Sequence, residues 1–326
     1  MAKKAGLLPF LTAVLVLIAG CTMIEVDLGP RPAPFVEKTI TGQGRDKVLL
    51  LSIDGMIMEG RSRPGLFPWS QGEDLISRVA EELDAAEKDP DVKALLVKIN
   101  SPGGTVAASD LLHHRISRFK ERKKAKVAAC LMGIATSGGY FVAAAADRIT
   151  ALPSTVTGSI GVVTVRFDLS GLMDRYGVRS EVIKSGRLKD MWSPFRPAGE
   201  EERRVMQAMI DEMFRRFLEV VRMARPDMTP AQLEKVSTAE ILTASQALAL
   251  GLVDRIAYPE EAFEEVKKLA GLEEARLIVY HRPGAHRPNI YARGPEIETG
   301  PDPAGLLDLA AAPLLMYLWL PGSAWP

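Results

Sequence analysis

Apolar residues along this chain follow two alternating rhythms. Uninterrupted runs at Lys47-Val-Leu-Leu-Leu-Ser-Ile53, Val92 to Ile99 and Val127 to Met132 have the length of buried strands. Between them, residues 74–87 put Leu75, Ile76, Val79, Leu83 and Ala86 on one side of a predicted helix, and residues 105–120 predict a second. Asp89-Pro90-Asp91 and Ser101-Pro-Gly-Gly104 punctuate these elements. The third run is read as breaking at Gly133 and entering a helix at Ser137. Short strands are expected at 148–151, around 160–163 and at 179–184, with a short helix over 169–176. A long helix over 200–224 carries Val205, Met206, Met209, Ile210, Met213, Phe217 and Val220 at helical spacing, the mark of a core or subunit contact. Short helices over 229–236, 245–250 and 259–269 and a last strand at 276–280 complete the body. Strand and helix in alternation argue for a layered α/β fold with largely parallel pairing.

The ends of the chain break this rhythm. Residues 1–20 have a basic start (Lys3, Lys4), an apolar run from Leu7 to Ile18 and small residues after it, as a cleaved secretory signal has. Ile18-Ala-Gly-Cys21 resembles the bacterial lipobox, in which the cysteine is lipidated, so Cys21 is the expected anchor; an uncleaved membrane anchor is the alternative. Either one puts the body outside the cytoplasmic membrane, in a bacterial cell envelope on the periplasmic side. The expected organisation is a signal peptide over 1–20, a lipid-anchored linker over 21–46, one catalytic domain over 47–281 and a flexible tail over 282–326. That tail is Pro/Gly-rich and then apolar from Leu306 to Leu320; interrupted by Asp308 and Pro313, it makes a poor transmembrane helix. It is expected to dock on the body, a neighbour or a lipid surface.

Composition narrows the functional classes. Across 326 residues the net charge is zero, so bulk electrostatics suggest no nucleic-acid partner. Two cysteines, Cys21 and Cys130, exclude a disulfide framework. The four histidines, His113, His114, His281 and His286, form no metal-binding motif, and no metal or cofactor is expected.

The chemistry concentrates in Gly133-Ile-Ala-Thr-Ser-Gly-Gly-Tyr140. A hydroxyl at a strand-to-helix turn sits beside free backbone N–H donors, and Gly138 and Gly139 clear space for a substrate carbonyl. The same pattern also suits an N-cap serine ahead of a tightly packed helix. A nucleophilic Ser137 needs a base. His281 and His286 lie late in the chain and no particular carboxylate is positioned to orient His113 or His114, so Ser-His-Asp is a weak assignment and lysine is the alternative. Lowering a lysine from about 10.4 to roughly 7–8 requires about 4 kcal/mol of bias against its charged form. Lys189, with Leu188, Met191 and Trp192 beside it, and Lys184 are both candidates.

Four ordered motifs, Ser101-Pro-Gly-Gly104, Thr136-Ser-Gly-Gly-Tyr140, Thr157-Gly-Ser-Ile-Gly161 and Ser185-Gly-Arg-Leu-Lys-Asp190, resemble the signal peptide peptidase A family, serine peptidases of the S49 type, from about Val48 to Ile256. The resemblance implies a core like that of Clp protease and crotonase. It implies Ser137 as nucleophile, Lys189 as general base and Ser159 as the residue that orients the lysine. It also implies Gly138 and the Gly103-Gly104 turn as oxyanion-hole donors. Hydrophobic peptides, including released signal peptides, are the implied substrates, and a ring-shaped homo-oligomer the implied assembly. The lipobox-like start and the absence of Gly-Arg before Ala247 depart from the family pattern. A crotonase-like acyl-CoA enzyme and a catalytically silent peptide-binding scaffold are the alternatives.

Overall fold

The buried runs become the middle of one sheet. The computed structural model describes residues 33–60, 74–283, 288–292 and 315–319. In chain order these form β1 (Val36–Gly42), β2 (Lys47–Asp54), α1 (Leu75–Lys88), β3 (Val92–Ser101), β4 (Gly103–Thr105), α2 (Val106–Lys123) and β5 (Lys126–Thr136). There follow α3 (Gly138–Ala143), β6 (Arg148–Ala151), β7 (Val156–Gly158), α4 (Ser170–Arg175), α5 (Glu200–Ala224) and α6 (Pro230–Val236). The last are β8 (Ile241–Thr243), α7 (Ala244–Ala249), β9 (Arg255–Ile256), α8 (Pro259–Leu269), β10 (Arg276–His281) and β11 (Met316–Leu318). The chain divides into residues 1–34 and 35–326; of the first unit only Ala33 and Pro34 are described, and everything below concerns the second. The signal-like leader and Cys21 lie outside the described residues.

The main sheet runs β1-β10-β2-β3-β5-β6-β9, with β7 and β8 attached beyond the end of β5. Pairing is parallel from β10 through β9, and β1 closes one edge antiparallel to β10. Successive side chains of each strand enter opposite layers, the period-two rule of a pleated sheet. Leu49, Leu51, Leu95, Val97, Val127 and Ala129 share one buried cluster with residues of α1, α2 and α3, whereas Val48, Leu50, Leu96, Ala128 and Cys130 share the other with α8. This is an α/β core with helices on both faces of a mixed sheet. Caps set the helix starts: Asp74 accepts from the Ser77 N–H at 2.8 Å and Thr105 from the Ala108 N–H at 3.2 Å.

Four expectations are corrected. Residues 36–42, within the expected linker, are strand β1 in the sheet. The third run does not break at Gly133, because β5 continues to Thr136 by changing partners: Ala128–Leu131 pair with β6, and Ile134–Thr136 with β7. Asn100 bridges the irregular point, its Oδ1 accepting the Ile134 N–H at 3.1 Å. The strand expected around 160–163 lies earlier, at Val156–Gly158; Val163 makes only an isolated bridge to Met316. Finally, residues 179–184 form no strand and are exposed. Their alternating pattern meets no partner edge among the described residues, and a strand without one has nowhere to send its backbone hydrogen bonds.

Candidate active site

Ser137 stands where β5 ends and α3 begins, and the turn between them is sharp. Its φ is 53° and ψ −114°, a conformation that residues other than glycine seldom adopt. Two backbone bonds pin it there. The Ser137 N–H donates to the Gly158 carbonyl at 2.8 Å, and the Ser137 carbonyl accepts from the Phe141 N–H at 2.9 Å. The side chain makes no capping bond. Its Oγ is buried and has no hydrogen-bond partner among the described residues. An N-cap serine would have used that oxygen on a helix N–H, so the capping explanation of Ser137 fails.

The glycines around Ser137 are required by close approach. A Cβ on Gly103 would lie 2.8 Å from the Gly138 nitrogen, and one on Gly138 would lie 2.4 Å from Ser109 Oγ. One on Gly104 would fall 1.7 Å from the Ile57 carbonyl oxygen. Gly103, Gly104 and Gly138 therefore gather beside the serine. Their donors differ. The Gly103 N–H donates to Ser101 Oγ at 3.1 Å and is already committed. Gly138 opens α3, so its N–H has no carbonyl a turn earlier to serve.

Ser159 lies one residue beyond the Gly158 carbonyl that holds Ser137. It too has positive φ, 53°, and its N–H donates to the Glu240 carbonyl at 2.8 Å. The β7–β8 pair thus fixes Ser137 and Ser159 relative to each other. Lys189 makes no hydrogen bond with either serine among the described residues. It is exposed, in the excursion that spans 164–199, and its own N–H serves the Gly186 carbonyl at 3.0 Å. Lys184, the other candidate base, pairs with Asp190 instead. Arg196 and Lys184 together hold the Asp190 carboxyl well below the usual carboxylate range.

Of the histidines, His113 packs its ring edge-on to Phe141 at 5.2 Å, and burial depresses its pKa to about 4. It is therefore neutral at ordinary pH. No group of His, Cys, Asp and Glu among the described residues is arranged to hold a metal ion.

Of the three places where the tail was expected to dock, its described part takes the body: Met316–Leu318 pair antiparallel with β4, the strand that carries Gly103 and Gly104. Sequence reasoning missed that this docking is a strand beside the site; the signal available was the apolar composition of the tail.

The family model described as Peptidase family S49 matches residues 119–273, and that described as Clp protease matches residues 69–157. A protein of Enterococcus faecium named "Putative signal peptide peptidase SppA" is 33% identical over 239 residues, covering 73% of this chain and 68% of that one. "Protease 4" of Salmonella typhi is 32% identical over 233 residues, covering 72% of this chain but 36% of its own length. Among solved structures, a ClpP1 mutant from Listeria monocytogenes is similar over 65% of this chain and 93% of that one, at 20% identity and a TM-score of 0.41.

Proposed function

Because the chain belongs to peptidase family S49, a family of serine peptidases, we propose that it is an endopeptidase for hydrophobic peptides, released signal peptides among them. Ser137 attacks the peptide carbonyl and Lys189 takes its proton. Lys189 then returns the proton to the leaving amine, and water releases the acyl group by the reverse sequence. Gly138, with Gly104 of the Gly103-Gly104 turn, holds the developing oxyanion, each such donor being worth on the order of 10²–10³ in rate. The observation that carries this reading is the Ser137 hydroxyl itself, buried, on a positive-φ turn and without a hydrogen-bond partner among the described residues.

The base arrives from a second copy. Two features support a shared site. Lys189 is exposed in its own chain, and the excursion around it exposes Leu172 (57%), Tyr176 (74%) and Ile183 (96%). Apolar residues exposed together mark a surface for another protein, and packing against a neighbour would also desolvate the lysine, as a neutral amine requires. A ring of like subunits repeats such a head-to-tail contact at every junction. Lipidation at Cys21 tethers the assembly to the membrane on the periplasmic side.

Ser137→Ala and Lys189→Ala are each expected to lower turnover of a hydrophobic fluorogenic peptide on the order of 10⁴-fold or more. Mixed in equal amounts and allowed to reassemble, the two variants should recover about a quarter of wild-type activity, the fraction of junctions that join an intact serine to an intact lysine. No recovery would place the lysine in the serine's own chain, and undiminished cleavage by either variant alone would remove the dyad. Fatty-acid labelling that persists in Cys21→Ala would refute the anchor.

A further inference from the structure

The strand that carries the glycines, β4, has two backbone edges. One is taken by Ile57, whose N–H donates to the Gly103 carbonyl at 2.9 Å and whose carbonyl accepts from Thr105 at 2.8 Å. The other is taken by the chain's own C-terminal segment. Met316 lies opposite Thr105, Tyr317 opposite Gly104 and Leu318 opposite Gly103. The pairing extends at both ends, from the Trp319 N–H to the Pro102 carbonyl at 3.0 Å and from the Val106 N–H to the Leu315 carbonyl at 3.1 Å. On its far side the segment pairs again, Met316 and Val163 exchanging both N–H bonds at 3.0 and 2.9 Å. Residues 315–319 are thus an extended strand held between two backbone edges.

This strand lies against the Ser137 turn. A Cβ on Gly103 would fall 2.0 Å from the Tyr317 carbonyl oxygen, and one on Gly138 would fall 3.0 Å from it. The Tyr317 side chain is fully buried. Its ring stacks on Phe141 at 5.0 Å, meets Phe217 at 4.6 Å, and its hydroxyl donates to the Met213 carbonyl at 2.9 Å.

We infer that residues 315–319 are a built-in occupant of the peptide groove, and that a substrate binds by displacing them. The inference rests on the reading of Ser137 as a peptidase nucleophile. A peptide added to an open strand edge gains affinity from main-chain bonds and specificity from pockets for alternate side chains, and the segment uses both. Its main chain spans Pro102 to Val106, and its Tyr317 side chain fills an aromatic slot lined by Phe141 and Phe217. With the segment in place Ser137 is 1% exposed, so the nucleophile is closed to any other peptide. The slot also defines the ligand: an extended peptide with an aromatic side chain at the Tyr317 position, its ring completing a three-ring cluster with Phe141 and Phe217. Tyrosine has an additional partner there in the Met213 carbonyl. The free enzyme is consequently self-inhibited, and its apparent affinity for substrate is reduced by the fraction of molecules whose groove is open.

The test measures binding, so that it stands apart from hydrolysis. In the full chain carrying Ser137→Ala, anisotropy reports binding of a fluorescent peptide with the sequence Leu-Met-Tyr-Leu-Trp, as in residues 315–319. Tyr317→Ala empties the slot, and Met316→Pro removes the N–H that serves Val163 without touching the slot's walls. Each is expected to tighten binding of the added peptide by about tenfold or more, the reciprocal of the open fraction. A peptide with alanine in place of tyrosine should lose that gain. If both substitutions leave the affinity unchanged or weaken it, or if both prevent folding, the segment is a structural strand and the inference falls. Tighter peptide binding in a protein whose wild type cleaves no peptide would uphold the segment's role and reject the peptidase reading.

Discussion

Ser137 and Lys189 belong to regions of opposite character. The turn at Ser137 is held from every direction: the Gly158 carbonyl below, β4 alongside, and Tyr140 and Phe141 of α3 fully buried behind it. The excursion over 164–199 has short-range hydrogen bonds and surface ion pairs, and several of its large apolar side chains face solvent. A residue on a strained turn requires surroundings that over-determine its geometry, and one chain supplies them for Ser137. Under the proposed dyad, Lys189 is left on a surface that a second copy completes, and substitutions in the two regions should behave differently.

The largest difference in stability is expected from one methyl group placed on either side. Alanine at Gly104 would put its Cβ 1.7 Å from the Ile57 carbonyl oxygen and 2.7 Å from the Ile57 nitrogen, both backbone atoms in a bridged strand. Overpacking against atoms that cannot swing aside should cost about 3 kcal/mol or more. Alanine at Gly186, in the excursion, meets nothing within 4 Å and should change stability by no more than about 0.5 kcal/mol. Denaturant midpoints of Gly104→Ala and Gly186→Ala read the difference directly, and equal midpoints would show that the two regions are equally plastic.

A second difference is visible in pH. His113 has a folded pKa of about 4 against an ordinary value of 6.5, because burial disfavours its charged form and outweighs the nearby Asp110. The unfolded chain therefore binds the proton first. The contribution of neutral His113 is complete above pH 6.5 and is lost as pH falls from 6.5 towards 4, by at most about 3 kcal/mol. His113→Gln should lose less stability than wild type across that window, as measured by denaturant unfolding at a series of pH values. Parallel curves for the two proteins would show that His113 is accessible to protons in the folded state.

The sequence was most informative where local pattern and tertiary environment agree. Glu200–Ala224 and Pro259–Leu269 begin and end where their amphipathic stripes and acidic first turns indicate. The strands β2, β3 and β5 were legible because parallel strands buried on both faces leave continuous apolar runs. The strand β1, Val-Glu-Lys-Thr-Ile-Thr-Gly, carries no such run; its place at the sheet edge depends on β10, whose residues come more than two hundred positions later. The site divides in the same way. The Ser137 turn and its glycines are compact local motifs and could be read, whereas the Met316–Leu318 strand is three residues long and is defined by its partner β4. Residues 179–184 have the alternation of a strand, but a pattern shows that a strand can form without showing whose edge it meets.

The smallest effect on folding should come from the substitution that tests the excursion most directly. Ile183 is 96% exposed, six residues before Lys189, so burying its side chain contributes nothing to the stability of a single chain. Ile183→Glu should therefore leave the unfolding free energy of the isolated subunit within about 0.5 kcal/mol of wild type. If this surface meets a neighbour, the same change puts a charge into an apolar contact and costs several times more there. The assembly should dissociate in analytical ultracentrifugation, and peptide turnover should fall with it while Ser137 and its glycines remain folded. Loss of assembly without loss of turnover would show that Lys189 reaches Ser137 within one chain. An intact assembly would move the contact elsewhere and leave the exposed apolar residues of the excursion without that explanation.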